Sequence, residues 1–255
     1  MSEVLVRLGR DERSPESISS CTDRSGRVAI ALSQGMTEKP NEDAVAVAAA
    51  GSSAVLVLAD GHWGRWASEL GVERMTEAAA AIDAAAAADR PALFRRLYEA
   101  VNQTLFDAAA DAYNADPQSG GDPLMTPETT LLTCRVDLRT GAVDWASFGD
   151  SFLFARTADG LRLLNELRPC WLGVRIHGKV ADALQIGRLE LAAGDSLLLA
   201  SDGLVEPVAG GKQVLPDEID GVVTSELPLE GKVRALVSMA LTRGGEDNVA
   251  CALYA

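Results

Sequence analysis

Apolar residues run through this chain in two rhythms. The first is a set of short continuous runs, two of which end on Asp-Gly. Residues 54–59 (AVLVLA) stop at Asp60-Gly61-His62, and residues 196–201 (SLLLAS) stop at Asp202-Gly203. Runs of this length, bounded by turn residues, read as strands buried on both faces. Residues 28–32 and 44–49 read as further strands flanking a polar loop, 33–43. Residues 44–59 form a hairpin broken at Gly51-Ser52-Ser53. Segments 129–136, 143–148, 152–156 and 161–164 predict a β-meander, with turns at Arg139-Thr140-Gly141 and Ala158-Asp159-Gly160. Residues 189–191 and 196–201 predict one more pair, and 249–254 a last strand.

The second rhythm is helical. From Gly64 onward, Trp66, Leu70, Met75, Ala79 and Ile82 fall near one face, and the Ala-rich stretch 84–88 extends the helix by propensity. Its acids, Asp83 and Asp89, read as solvated charges. Pro91 suits the first turn of a second helix, whose stripe is Leu93, Phe94, Leu97, Tyr98, Val101 and Leu105. Residues 231–241 form a third amphipathic helix. Segment 114–127, rich in Gly, Pro and Asp, reads as a surface loop. Strands, two long helices, more strands, then a helix and a strand do not alternate as βαβ units. They suit antiparallel sheets packed together with helices outside.

Composition narrows the function. The 255 residues are 47% hydrophobic, enough for a substantial core, and carry a formal net charge of -14. That balance argues against nucleic acid or an anionic membrane surface as a partner. Four cysteines, Cys21, Cys134, Cys170 and Cys251, lack metal-ligand spacing and read as reduced thiols of a cytoplasmic chain. The N-terminal segment has no long apolar core, so no signal peptide is expected. Residues 1–25 read as an N-terminal arm or edge segment, and 26–255 as one catalytic domain.

The chemistry lies at the ends of the strands. Asp60, Asp150, Asp202 and Asp247 each adjoin a glycine or lie within two residues of one, and Glu42-Asp43 stands at the mouth of another strand. Carboxylates grouped this way repel one another unless cations hold them. Hard oxygen donors suit hard divalent cations.

In order along the chain come Asn41-Glu42-Asp43, Asp60-Gly61-His62-Trp63-Gly64 with Ala67-Ser68, Gly149-Asp150-Ser151, Ala200-Ser201-Asp202-Gly203-Leu204 and Asp247-Asn248. These blocks resemble those of the metal-dependent serine/threonine phosphatases of type 2C (PPM-type), in a compact bacterial-like form. The resemblance spans residues 26–255. It implies an α+β fold, a four-layer α-β-β-α sandwich of two antiparallel sheets flanked by helices. It implies hydrolysis of phosphoserine and phosphothreonine on a phosphorylated protein substrate, by water activated at a binuclear Mg²⁺ or Mn²⁺ centre.

On this resemblance Asp60 bridges both metals and the Gly61 carbonyl binds one of them. Asp202 and Asp247 bind the other, and Glu42 with Asp43 holds metal-bound waters. Asp150 belongs to a weaker third metal, and His62 is the general acid. An imidazole suits that role because a serine or threonine alkoxide needs a proton to leave. The second histidine, His177, reads as structural.

The sequence departs from the family pattern in four places. Glu38 stands where members carry a phosphate-gripping arginine, which makes Lys39 the candidate substrate contact. Trp63 replaces a glycine, and Phe152 stands where arginine is common. The segment between Asp202 and Asp247 is short, which leaves 169–178 and 205–216 as candidate access flaps. The expected molecule is a cytoplasmic monomeric phosphatase. The alternative is a catalytically weak or inert phosphatase-fold module acting in binding or regulation.

Overall fold

The computed structural model describes residues 3–11, 14, 17–50, 52–115, 126–173, 179–206 and 213–255. The expectation for His177, most of the loop at 114–127, and half of each of the segments 169–178 and 205–216 fall outside these residues.

Strands β1 (Glu3–Leu8), β2 (Ser19–Thr22), β3 (Val28–Ser33), β4 (Ala44–Ala50), β5 (Ser53–Ala59) and the short β6 (Gly61–His62) come first. Helices α1 (Trp66–Glu77), α2 (Ala79–Ala84) and α3 (Arg90–Ala115) follow. Next are β7 (Glu128–Thr129), β8 (Leu131–Asp137), β9 (Ala142–Phe148), β10 (Phe152–Thr157) and β11 (Gly160–Leu163). The chain continues through α4 (Val180–Ala183), β12 (Gln185–Glu190) and β13 (Ser196–Ala200). It closes with α5 (Asp202–Val205), α6 (Pro216–Val223), α7 (Leu229–Thr242) and β14 (Val249–Tyr254).

These strands form two six-stranded sheets, ordered β1-β4-β5-β8-β9-β12 and β11-β10-β13-β14-β3-β2, plus the β6-β7 pair. Every pairing is antiparallel. The period of two sorts the side chains into layers. In β5, Leu56 and Leu58 face the second sheet, while Val55 and Val57 face α1 and α3. In β3, Ile30 and Leu32 enter the same inter-sheet core, while Ala29 and Ala31 lie under α7. Both faces of each sheet are covered, which explains the unbroken apolar runs. The result is the expected four-layer α-β-β-α sandwich. The segment before residue 26 supplies an outer strand to each sheet, β1 beside β4 and β2 beside β3.

Two strand expectations are corrected. The predicted meander is split: β8 and β9 pair in the first sheet, β10 and β11 in the second. Gly149, at φ 113, makes the crossing. A Cβ there would meet the Thr130 side chain at 2.6 Å, so only glycine fits. Asn165 spans the crossing, donating to Ser147 Oγ at 3.0 Å and the Ser151 carbonyl at 2.8 Å and accepting from the Leu153 amide at 2.9 Å. Likewise 189–191 and 196–201 do not pair. β12 joins β9 in the first sheet and β13 joins β10 and β14 in the second.

The helix expectation also changes. Residues 85–89 form a bend and turn, and Ala85 is already extended. Arg90 reaches back to the Ile82 carbonyl at 3.2 Å and pairs with buried Asp144 at 2.5 Å. Tertiary contacts thus override alanine's helix propensity, a weak preference. Trp66 is exposed at the start of α1, outside the buried stripe.

Candidate metal centre and active site

The site forms where strands from both sheets end together. Asp60 follows β5 and its backbone is clamped on both sides. Its amide donates to Thr130 Oγ1 at 3.0 Å, and its carbonyl accepts from the Thr130 amide and Thr129 Oγ1, each at 2.9 Å. The carboxylate is left to point away from the ladder. From the other sheet, Ser201 and Asp202 follow β13, and Asp247 and Asn248 precede β14.

The two strand ends are stitched together. Ser201 Oγ donates to Asp43 Oδ2 at 2.8 Å and accepts from the Ala250 amide at 2.8 Å. Asn248 Oδ1 accepts from the Glu42 amide at 2.8 Å, and Asn248 Nδ2 donates to the Gln34 carbonyl at 2.8 Å. Gly61 backs onto Glu42: a Cβ there would lie 2.6 Å from the Glu42 carbonyl and 3.1 Å from Ser68 Oγ. Ser68 in turn donates to the Glu42 carbonyl.

The electrostatics match this crowding. Burial pushes the Asp60 carboxyl well up, and the charges of Asp43 and Asp202 push it further. Burial also raises Asp43 strongly; Ser201 opposes the rise while Asp247 and Asp202 add to it. Asp202 is raised by burial against the opposing hydrogen bond from Asp60, with which it is in direct reach. Asp150 is pushed up to about 6 by burial and by Asp202. Lys39 Nζ lies 2.9 Å from Glu42 Oε2 and 3.3 Å from Asp247 Oδ1. Burial alone would lower this ammonium's pKa; Asp247 and Glu42 outweigh it and hold the proton well above the ordinary lysine range.

All the acids singled out from sequence are thus brought to one edge. Among the described residues, no three His, Cys, Asp or Glu side chains close on one ion-sized point. The donors gather without forming a closed shell. Their chemistry nevertheless fits a divalent cation. They are all oxygen, their charges disfavour one another, and Asp43 Oδ1 is buried with no hydrogen-bond partner.

His62 lies beside this cluster, within electrostatic reach of Asp202. Its ring meets Trp171 edge-on, with centroids 4.9 Å apart at 80°. Its Nδ1 is buried without a hydrogen-bond partner. Trp63 sits at φ 62, a conformation a bulky residue rarely adopts. Glu38 is exposed on the loop that carries Lys39.

Several supporting residues escaped the sequence reading. Ser201 and Asn248 lay inside quoted motifs without a role of their own. Thr130, Asn165 and Trp171 gave no local signal, because their partners are distant in sequence.

The profile described as Stage II sporulation protein E (SpoIIE) matches residues 71–251. Protein phosphatase PhpP of Streptococcus pneumoniae serotype 2 is 43% identical over 67 residues, which is 26% of this chain and 25% of that protein. The match therefore spans about a quarter of the curated relative. Among solved structures, Stp1 from Staphylococcus aureus, a serine/threonine phosphatase, aligns with a TM-score of 0.71 at 21% identity, covering 89% of this chain and 94% of that one. The catalytic domain of the serine/threonine protein phosphatase PstP, in complex with two manganese ions, aligns at 0.67 and 22%, covering 93% and 98%. These likenesses establish the fold, and the profile match establishes descent: the chain belongs to the SpoIIE family of type 2C (PPM-type) phosphatase domains.

Proposed function

We propose that this domain hydrolyses phosphoserine and phosphothreonine monoesters on proteins, using two divalent cations, Mg²⁺ or Mn²⁺. Asp60, the Gly61 carbonyl, Asp202 and Asp247 would hold them, with Glu42 and Asp43 behind and Asp150 serving a weaker third position. The observation that carries this reading is the convergence of Asp43, Asp60, Asp202 and Asp247 from both sheets, with Asp43 Oδ1 buried and unpartnered. This grouping favours a working enzyme over an inert module.

Divalent cations there supply Lewis-acid activation of water and neutralise charge on the phosphoryl oxygens. The chain's own residues do the rest. The clamped backbone at Asp60 and the Ser201–Asp43 link hold the carboxylates in place, so little reorganisation is needed. His62 can give a proton to the departing serine or threonine oxygen. Lys39 offers an ammonium to the phosphate, as a point charge without arginine's fork.

The net charge of -14 supports a protein partner over nucleic acid or an anionic membrane. Among the described residues no helix is long and apolar enough to cross a membrane. The four unpaired thiols support a cytoplasmic location, and we propose a monomer. The test is phosphate release from a phosphoserine peptide. It should need Mn²⁺ or Mg²⁺ and stop on chelation; release that persists in chelator would refute the metal mechanism.

A further inference from the structure

We propose that Lys39 is a built-in counter-cation of the acidic cluster, which an incoming divalent cation must displace. The inference rests on the reading of this cluster as a metal site. Lys39 Nζ bridges two acids from opposite sheets: Glu42 precedes β4 and Asp247 precedes β14. Among the described residues it is the one cation paired with either acid, and Asp43, Asp60, Asp150 and Asp202 have no lysine or arginine ion pair. Glu42 is nearly buried, at 10% side-chain exposure, whereas Lys39 keeps 38%. The ammonium therefore lies at the solvent side of the cluster, between nearly buried Glu42 and the more exposed Asp247, at 43% side-chain exposure.

The loop is built to aim it there. The Met36 amide donates to the Gly245 carbonyl at 2.6 Å, Gln34 Nε2 to the Thr37 carbonyl at 2.9 Å, and the Lys39 amide to Thr37 Oγ1 at 3.1 Å. Asn248 ties both ends of the same loop to the mouth of β14. Pro40 restricts the backbone of Lys39 itself. The neighbouring Glu38, by contrast, is exposed.

Lys39 occupies Asp247 Oδ1, an oxygen of an acid that would bind a divalent cation directly, and Glu42 Oε2, which would hold that cation's waters, so the two cations exclude each other. Lysine suits such a role. It neutralises carboxylates as a compact charge on a flexible stem, and it swings out without the two-point contact arginine would have to break. In the metal-free protein it relieves repulsion among the acids. Once metal binds, the released ammonium is available to the substrate phosphate.

The test is calorimetric titration of Mn²⁺ into metal-free wild type, Lys39→Met and Lys39→Gln, with thermal melts in chelator and in saturating Mn²⁺. Removing a like charge from the site should tighten Mn²⁺ binding by on the order of tenfold. Both variants should melt below wild type in chelator, and the gap should close in Mn²⁺. Equal or weaker Mn²⁺ binding by both folded variants would overturn the inference while leaving the metal site intact. If wild type binds neither Mn²⁺ nor Mg²⁺, the metal reading fails and the inference falls with it.

Discussion

Ser201 Oγ donates to Asp43 Oδ2 at 2.8 Å, joining the end of β13 in one sheet to the mouth of β4 in the other. The same hydroxyl accepts from the Ala250 amide, so one buried side chain fixes three segments. Asp43 Oδ1, by contrast, is buried without a hydrogen-bond partner.

Ser201→Ala strands a buried carboxylate oxygen and a buried amide. Each unsatisfied buried group costs about 1–3 kcal/mol. With two such groups, urea unfolding in chelator should show a loss of roughly 2–6 kcal/mol. An unchanged midpoint would mean that the sheets are held at this edge by packing alone.

Asp83 gives a pH signature away from the site. Burial tends to raise its pKa, but hydrogen bonds from Ser53 and Arg135 outweigh that and lower it from 3.8. A depressed carboxyl stabilises the fold above its unfolded pKa, and that contribution is lost as pH falls through the folded value. Asp83→Asn should therefore be less stable than wild type at pH 7, and the difference should shrink below about pH 4. A difference that stays constant with pH would remove the ion pair with Arg135 as its cause.

His62→Ala should slow a phosphoserine peptide far more than p-nitrophenyl phosphate, because nitrophenolate leaves without a proton. A general acid is worth about 10²–10⁴-fold. Equal losses on both substrates would remove the proton-donor role.

Glu38→Arg places a forked cation on the Lys39 loop and removes an exposed carboxylate. A charge-assisted hydrogen bond contributes roughly 1.5–3 kcal/mol, so KM for a phosphopeptide should fall about tenfold or more. An unchanged KM would show that position 38 does not face the phosphate.

The periodicities carried much of the fold. Residues 54–59 and 196–201 are doubly buried strands, and Phe94, Tyr98, Val101 and Leu105 form a buried stripe. What the local pattern could not carry was which sheet each strand joins. A hairpin and a crossing look alike in sequence; Gly149 and Asn165 decide between them through distant partners such as Thr130 and Ser147. The acids were legible because glycine follows Asp60 and Asp202 directly at strand ends. Asp83 read as a solvated charge because its partner, Arg135, lies 52 residues away. Lys39 was legible as a cation near the site, but not as one already engaged with Glu42 and Asp247.

The most direct measurement is phosphate release from a phosphoserine peptide by wild type, Asp60→Asn and Asp202→Asn, each titrated with Mn²⁺ and checked by calorimetric Mn²⁺ binding. Wild type should bind Mn²⁺ and turn over only when loaded. Both variants should stay folded and lose binding and turnover together, since each removes a carboxylate charge from the cluster. Turnover by wild type in excess chelator, or wild-type rates in both variants, would contradict the assignment of this cluster as the metal-dependent catalytic centre.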